Sequence, residues 1–179
     1  MRFPGWGPGL LAAVTLVAIT LAGPAGAQDL RIGMVTPPPH QWTRSANALA
    51  ERITAETEGR MKLAVFPSGQ LGNEAQMLQQ LQTGALDLAF LTVGELANRD
   101  ADFGILVAPY LVPDAESAAE LLEGRTATAL QEKLGALGLK GLGYGMAGMR
   151  IVLLSKPMAE GGSVAGRKIR TVPLAQEMD

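Results

Sequence analysis

Two arginines near the C-terminal end of the chain are the residues whose setting most suggests chemistry. Arg150 leads into the apolar run Ile151–Leu154, and Arg170 lies between Ile169 and Thr171. An arginine in an apolar strand needs a partner, because an unpaired buried charge is very costly. That partner is either the carboxylate of a bound small molecule, held by two parallel hydrogen bonds, or an Asp or Glu from a distant part of the chain. The two residues alone leave both alternatives open.

The remaining reactive groups do not form a catalytic or metal-binding set. The chain has no cysteine and one histidine, His40, which follows three prolines. We interpret it as a loop histidine, with a contact to ligand as the alternative. Asp100 and Asp102 lie in a polar stretch, where solvation is expected. No GxSxG serine-hydrolase motif and no GxxxxGK[ST] phosphate loop occurs, so the residues favour a protein that is not an enzyme and has no cofactor.

One glycine-rich segment leaves a second possibility open. Pro67–Gly72 precedes a predicted helix, so its N–H groups could meet an anion. We favour a short strand–helix loop, since the first strand–helix turn of the chain lacks the GxGxxG of dinucleotide-binding folds.

The elements that must position these residues follow an alternation of strand and helix patterns. Strands are predicted at Leu30–Val35, Met61–Phe66 and Leu86–Thr92, the last almost wholly apolar, as in a buried parallel strand. A helix between the first two strands carries Trp42, Ala46, Leu49, Ala50 and Ile53 on one face, and Gly59 is placed to end it. The next helix begins at Asn73, with Gln76 in capping-box position and Met77, Leu78 and Leu81 on its apolar face, and Gly84 ends it.

The second half of the chain is predicted to contain further helices, followed by a glycine-rich, strand-like run. Leu96–Phe103 is predicted as a loop and Ala115–Glu123 as a helix capped by Asp114 and ended by Gly124. A further helix is predicted near Thr126–Leu137, with Leu130, Leu134 and Leu137 on one face and Gly138 at its end. Four glycines then punctuate a strand-like run from Lys140 that continues through Arg150–Leu154. The fold class is therefore α/β with a mainly parallel sheet built from βαβ units.

The N-terminus has the pattern of a secretory signal peptide. Arg2 is the only charged residue before Asp29, the run Leu10–Ala22 is uncharged and mostly apolar, and Ala25–Ala27 is an A-x-A cleavage site. We expect cleavage before Gln28 and export across the membrane. An uncleaved membrane anchor is the alternative, although the run is shorter than the ~20 residues of a spanning helix. The absence of cysteine excludes a lipid anchor on an N-terminal Cys.

The net charge of residues 28–179 argues against nucleic acid as a partner. Residues 28–179 carry 14 of the 15 basic residues and all 17 acidic ones, a net charge of −3 with no basic run. Nucleic-acid binding therefore finds no support.

We expect residues 1–27 to be the signal peptide, 28–145 a first ligand-binding domain, and 146–179 a crossover into a second domain. That second domain would need on the order of 50–150 residues, so we expect it to be incomplete here.

Four segments together resemble the solute-binding proteins of tripartite ATP-independent periplasmic (TRAP) transporters, of the DctP type. The resemblance runs from about Asp29 to Ala175, and the combination is more specific than any one piece. The segments are Val65–Gly72 (VFPSGQLG), Leu78–Leu88 (LQQLQTGALDL), Ala108–Leu111 (APYL) and Gly166–Arg170 (GRKIR).

The resemblance implies a periplasmic-binding-protein-like fold and a set of site residues. Two α/β domains close around an organic acid, and the closed form is presented to the membrane subunits of the transporter. By similarity, Arg170 pairs with the ligand carboxylate and Arg150 supports the ligand or the pocket. Thr36 and Thr92, near the ends of the first and third strands, fall at pocket positions. Residues 28–179 alone would then bind ligand poorly, because the second domain supplies much of the cleft.

The leading hypothesis is therefore a non-enzymatic periplasmic receptor that delivers a small carboxylate to a TRAP membrane transporter. A receptor of another transport or sensory system with a similar fold is the nearest alternative. An exported enzyme is the alternative from another class, and a structural interaction module is the third.

Overall fold

The computed structural model describes residues 28–149, 154, 163, 165–166 and 168. The predicted signal peptide, Arg150 and Arg170 lie outside the described residues. The strands are β1 (Gln28–Gly33), β2 (Met61–Phe66) and β3 (Leu88–Ala89), and the α-helices are α1 (Gln41–Glu56), α2 (Glu74–Thr83), α3 (Val93–Ala97), α4 (Ala115–Glu123) and α5 (Arg125–Lys133). Two 3-10 helices span Ala101–Val107 and Leu134–Leu137.

The three strands form a parallel sheet in the order β2-β1-β3. The ladder between β1 and β2 runs from Gln28 opposite Met61 to Gly33 opposite Phe66. Each strand is followed by a helix that returns the chain to a parallel position, as the predicted βαβ units require. The α/β fold class is confirmed, and β2 has the bounds that its alternating pattern predicts.

The third strand is far shorter than predicted. Only Ile32 and Gly33 of β1 pair with β3, opposite Leu88 and Ala89. Phe90 N then donates to Gly33 O at 3.0 Å, and the chain leaves the sheet. The prediction of Leu86–Thr92 was wrong in extent because β1 itself ends at Gly33, two residues before its predicted end, and leaves nothing further to pair with.

Helix α1 packs against one face of the sheet and closes a first core of Ile32, Met34, Ala46 and Leu63. The predicted apolar face is partly wrong, since Leu49 is 40% exposed. Thr43 replaces it and is buried one turn before Ala46. Its hydroxyl donates to Pro37 O at 2.9 Å, so this polar side chain is buried with a partner, as burial requires.

Helix α2 packs against the same sheet through Met77. It begins and ends at the capping residues that the sequence predicts. Asn73 Oδ1 accepts from Gln76 N and Gln76 Oε1 accepts from Asn73 N, each at 2.9 Å, which completes the capping box. Gly84 ends the helix in the left-handed region at φ 72°. Gly33 allows the close approach of helix and strand, because a Cβ there would lie 2.7 Å from Met77 Sδ.

A second core forms between helices alone, where a loop was predicted. Thr92 caps α3 and Asp100 caps the following 3-10 helix, so Leu96–Phe103 is mostly helical. The prediction of a loop was wrong because the polar residues between these short helices obscured their apolar ones. The cluster consists of Leu78, Leu96, Ala97, Phe103, Leu130 and Leu134. Helix α4 keeps its predicted bounds, with Asp114 Oδ1 accepting from Ser117 N at 2.9 Å.

Lys133 forms ion pairs with two carboxylates at the surface of the second core. Its Nζ lies 2.6 Å from Asp100 Oδ2 and 2.5 Å from Asp102 Oδ2. Asp102 is solvent-exposed, as expected, and Asp100 is partly exposed, but both carboxylates also bind this lysine. The contact lowers the pKa of Asp100, chiefly through the hydrogen bond from Lys133. The same pair of carboxylates raises the pKa of Lys133.

We expect Asp100 to contribute stability that depends on pH. A carboxyl group with a lowered folded-state pKa stabilises the fold above its unfolded pKa, roughly pH 4, and the contribution is lost as pH falls through the folded value. Asp100→Asn should therefore reduce the free energy of unfolding at pH 7 and flatten its fall between about pH 5 and pH 2. Urea denaturation across that range measures this. Asp29→Asn is the control, and an unchanged acid slope in Asp100→Asn would contradict the assignment.

The glycine-punctuated stretch after the last helix is not a strand. Gly138 ends the second 3-10 helix at φ 73°, and residues 139–149 are irregular. The prediction of a strand-like run from Lys140 was wrong in this described part, because no neighbouring strand there offers it a ladder. In the part of the chain that the structure describes, no helix is long and apolar enough to cross a membrane.

Candidate functional site

The strand order itself locates a candidate binding edge. From β1 the chain moves to β2 on one side, and from β2 it crosses to β3 on the other. Neighbouring strands whose connections diverge leave a crevice outside their carboxyl ends, and in the order 2-1-3 that crevice lies between β1 and β3. Thr36 follows β1 and Thr92 follows β3. The fold therefore brings these two predicted site residues to the same edge.

Thr36 lies in the loop after β1 and joins three segments of that edge. Its Oγ1 lies 3.0 Å from Thr43 Oγ1, in the first turn of α1. Its carbonyl oxygen accepts from Ser68 N at 2.9 Å, in the loop after β2. Ser68 is held at φ 57°, and its exposed side chain stands at the same edge. Thr36 thus shapes the edge and keeps a half-buried hydroxyl there.

Thr92 is held by a carboxylate from the first turn of α2. Thr92 N donates to Glu74 Oε1 at 2.8 Å, and Thr92 Oγ1 donates to Glu74 Oε2 at 2.7 Å. The same hydroxyl lies 3.4 Å from Glu95 N, where it caps α3. Glu74 occupies the first turn of α2, where a negative charge is favoured by the helix dipole. The carboxylate therefore faces the β3 end of the edge.

An aromatic group stands beside this polar edge on the α1 side of the sheet. Trp42 stacks on Phe90 with ring centroids 5.8 Å apart and planes at 19°. His40 meets Trp42 edge-on at 5.5 Å and caps α1 through its Nδ1, which accepts from Trp42 N at 3.1 Å. Trp42 Nε1 is buried and finds no acceptor among the described residues. His40 is thus a capping residue, in keeping with the interpretation of a loop histidine.

The sequence-predicted site is brought together in part. Thr36 and Thr92 reach one edge, whereas Arg150 and Arg170 lie outside the described residues, and their positions stay predictions. Glu74 was missed. In the sequence, an acidic residue in the first turn of a helix is explained by the favourable interaction with the helix dipole. Only the strand order indicates that this turn borders the crevice.

Grooves and metal-binding clusters would be the other candidate sites in the described part of the chain. A groove of about 1020 Å³ lies between the first 3-10 helix and α5, lined by residues such as Ile105, Ala108 and Leu130. It contains none of the edge residues. Among the described residues, no group of three or more His, Cys, Asp or Glu side chains could hold a metal ion.

Comparison with known proteins identifies the family. The family of bacterial extracellular solute-binding proteins, family 7 (DctP), matches residues 32–178. The 2,3-diketo-L-gulonate-binding periplasmic protein of Escherichia coli is 30% identical over 146 residues, which are 81% of this chain and 44% of that protein. The C4-dicarboxylate-binding periplasmic protein DctP of Rhodobacter capsulatus is 26% identical over 165 residues, 90% of this chain and 50% of that protein.

The fold is similar to solved structures as well. The sugar acid binding protein DctPAm of Advenella mimigardefordensis, in complex with galactonate, aligns with a TM-score of 0.64 and 26% identity. The alignment covers 66% of this chain and 38% of that chain. The chain thus spans half or less of the length of these three proteins. Because the family match covers most of its residues, this chain belongs to the bacterial extracellular solute-binding proteins of family 7, the DctP family.

Proposed function

We propose that the protein is a periplasmic solute-binding receptor that delivers a small organic acid to a TRAP membrane transporter. One observation carries the proposal. In a chain of the DctP family, the β1/β3 switch point presents an edge of hydroxyl and carboxylate groups beside an aromatic cluster. Such an edge suits reversible binding of a small polar molecule, which needs a few placed polar groups against an apolar wall.

The ligand carboxylate would be held by arginine. Arg170 would form two parallel hydrogen bonds to it, and Arg150 would support the ligand or the pocket. Thr36 and Thr92 contribute to the edge beneath the ligand. Because the hydroxyl of Thr92 is already bound to Glu74, Thr92 acts chiefly by fixing that carboxylate. Residues 28–145 would form the first domain, and 146–179 would begin the crossing to a second.

The remaining properties follow from the same assignment. Residues 1–27 would direct export and be removed, which leaves the receptor in the periplasm without a lipid anchor. The relatives compared above are solute-binding proteins, so we infer that this chain catalyses no reaction and needs no cofactor. Closure around the ligand would present the receptor to the membrane subunits of the transporter, and the ligand would drive closure by binding the closed form better.

A panel of acids tests the proposal on the full-length gene product. A ligand at 100 times its Kd stabilises the folded state by about 2.7 kcal/mol, so a cognate acid should raise Tm by roughly 5 °C or more. Sugar acids, C4-dicarboxylates, keto acids and the corresponding neutral sugars are compared by thermal shift, and the acids are re-isolated unchanged. If no carboxylate raises Tm, or if one is converted, the proposed function is wrong.

A further inference from the structure

Thr43 is a buried polar residue beside the loop that carries Thr36. Among the described residues it is the one polar side chain in the buried class, with 1% of its surface exposed. A hydroxyl group has one proton to donate and two lone pairs that accept, and a buried hydroxyl must use them within the protein. The contacts of Thr43 therefore decide how this loop is bonded.

The proton of Thr43 is bound to the backbone of the loop. Its Oγ1 donates to Pro37 O at 2.9 Å. Met34 Sδ and Thr36 O lie farther away, at 3.3 Å each, and both are acceptors only. The thioether is also a weak acceptor. Because the hydroxyl has a single proton, the short contact to the carbonyl oxygen of Pro37 takes it.

The remaining contact of Thr43 joins it to the hydroxyl of Thr36. The two Oγ1 atoms lie 3.0 Å apart. Since Thr43 gives its proton to Pro37, only Thr36 can be the donor in this pair. This arrangement makes two hydrogen bonds, whereas the reverse direction, from Thr43 to Thr36, makes one. Burial favours the arrangement with more bonds, because each unmade bond of a buried polar group is costly.

This direction fixes the hydrogen-bonding character of Thr36 at the candidate edge. Its proton is directed inward to Thr43, and its lone pairs are left for the crevice. The residue is half-buried rather than sealed, and its Oγ1 makes no second hydrogen bond with the described residues. Thr36 therefore offers acceptor positions to a molecule that binds beside it, and a proton-donating group complements them.

We propose that Thr43 is a positioning residue for ligand binding. It takes the proton of the Thr36 hydroxyl and so makes Thr36 an acceptor toward a proton-donating group of the ligand. This inference rests on the proposed function, in which Thr36 lies at the edge beneath the ligand. Thr43 itself is sealed from the crevice and does not touch the ligand. Its effect is preorganisation, since a hydroxyl that is already oriented does not have to be ordered on binding.

A double-mutant cycle in ligand affinity tests the proposal on the full-length gene product. The probes are L-lactate, L-malate and D-galactonate, which differ in size and all carry hydroxyl groups, and the one that raises Tm most is used for calorimetric titration. Thr43→Val removes the hydroxyl and should weaken binding about 3- to 10-fold, the equivalent of one uncharged hydrogen bond. Thr36→Val should weaken it by a similar factor. The double variant should bind no more weakly than Thr36→Val alone, because Thr43 acts only through Thr36.

Two controls separate positioning from packing. Thr43→Ser keeps the hydroxyl while losing a buried methyl group, and it should recover most of the affinity that Thr43→Val loses. Thr54→Val removes a hydroxyl from the same helix, where it donates to Ala50 O at 2.9 Å, and it should leave Kd unchanged. The Tm of each variant is measured without ligand, so that a loss of fold is distinguished from a loss of affinity.

The inference and the proposed function can fail separately. If the effects of the two valine substitutions add, or if Thr43→Val binds as the wild type does, the inference is wrong while a carboxylate receptor remains. The inference is also wrong if succinate, which has no proton to donate when ionised, binds and none of the three hydroxylated probes does. If no acid of the wider panel binds, the proposed function itself is wrong and the inference falls with it.

Discussion

Replacing Arg170 by alanine should abolish useful ligand binding by the full-length gene product. A bidentate contact between arginine and carboxylate contributes about 1.5–3 kcal/mol, which corresponds to roughly one to two decades of affinity. Removing it leaves the ligand carboxylate desolvated and without its partner. We therefore expect the Kd for a cognate acid to rise by about 10- to 100-fold, as measured by calorimetry.

Arg170→Lys and Arg52→Ala are the matched variants for this experiment. Lysine keeps the charge but not the planar pair of donors, so it should weaken binding by less than alanine does. Arg52 lies on the exposed surface of α1, where its ion pair with Glu56 spans 3.3 Å, and its removal should leave Kd unchanged. If the affinity of Arg170→Ala equals that of the wild type, the arginine has no role at the ligand carboxylate.

Replacing Phe103 by alanine should destabilise the fold more than any other change considered above. Phe103 is fully buried in the helical core, against Leu78, Leu96 and Leu130. Truncating such a side chain costs about 3–5 kcal/mol, through lost transfer energy and the remaining cavity. Because whole domains are stable by only about 5–15 kcal/mol, we expect a fall in Tm of roughly 10 °C, measured by calorimetric melting.

The same substitution tests whether residues 96–103 belong to a packed helical element or to the loop that was predicted there. Phe103→Leu keeps most of the apolar volume and should cost less than half as much. Tyr110→Ala is the exposed control, since that side chain is fully accessible at 103%, and it should change stability by no more than about 0.5 kcal/mol. A loss below about 1 kcal/mol in Phe103→Ala would mean that the second core is not formed.

The proposed site couples the two cores of the domain. Helix α2 contributes Met77 to the sheet side and Leu78 to the helical cluster, and its first turn carries Glu74. The hydrogen bonds from Thr92 then tie this turn to the start of α3. Packing on both sides of α2 therefore holds the Glu74 carboxylate against Thr92.

Signals that depend on neighbouring residues could be predicted from the sequence. The capping box of Asn73 and Gln76, the left-handed Gly84 and the cap of Asp114 each involve groups within about one helical turn. The alternation in β2 likewise predicts its bounds. Their formation is local, so the residues that make each signal are adjacent in the chain and can be recognised without knowing the fold.

The sequence by itself thus determined the α/β class, the βαβ order, the caps and the family resemblance, because each depends on local pattern or on motifs read along the chain. Only the tertiary structure decided the rest. It decided that β3 is two residues long, because strand length depends on the partner. It decided that Lys133 binds Asp100 at the surface of the helical core. It also decided that Glu74 meets Thr92 at the β1/β3 switch point, since strand order, which no local pattern encodes, brings distant residues together.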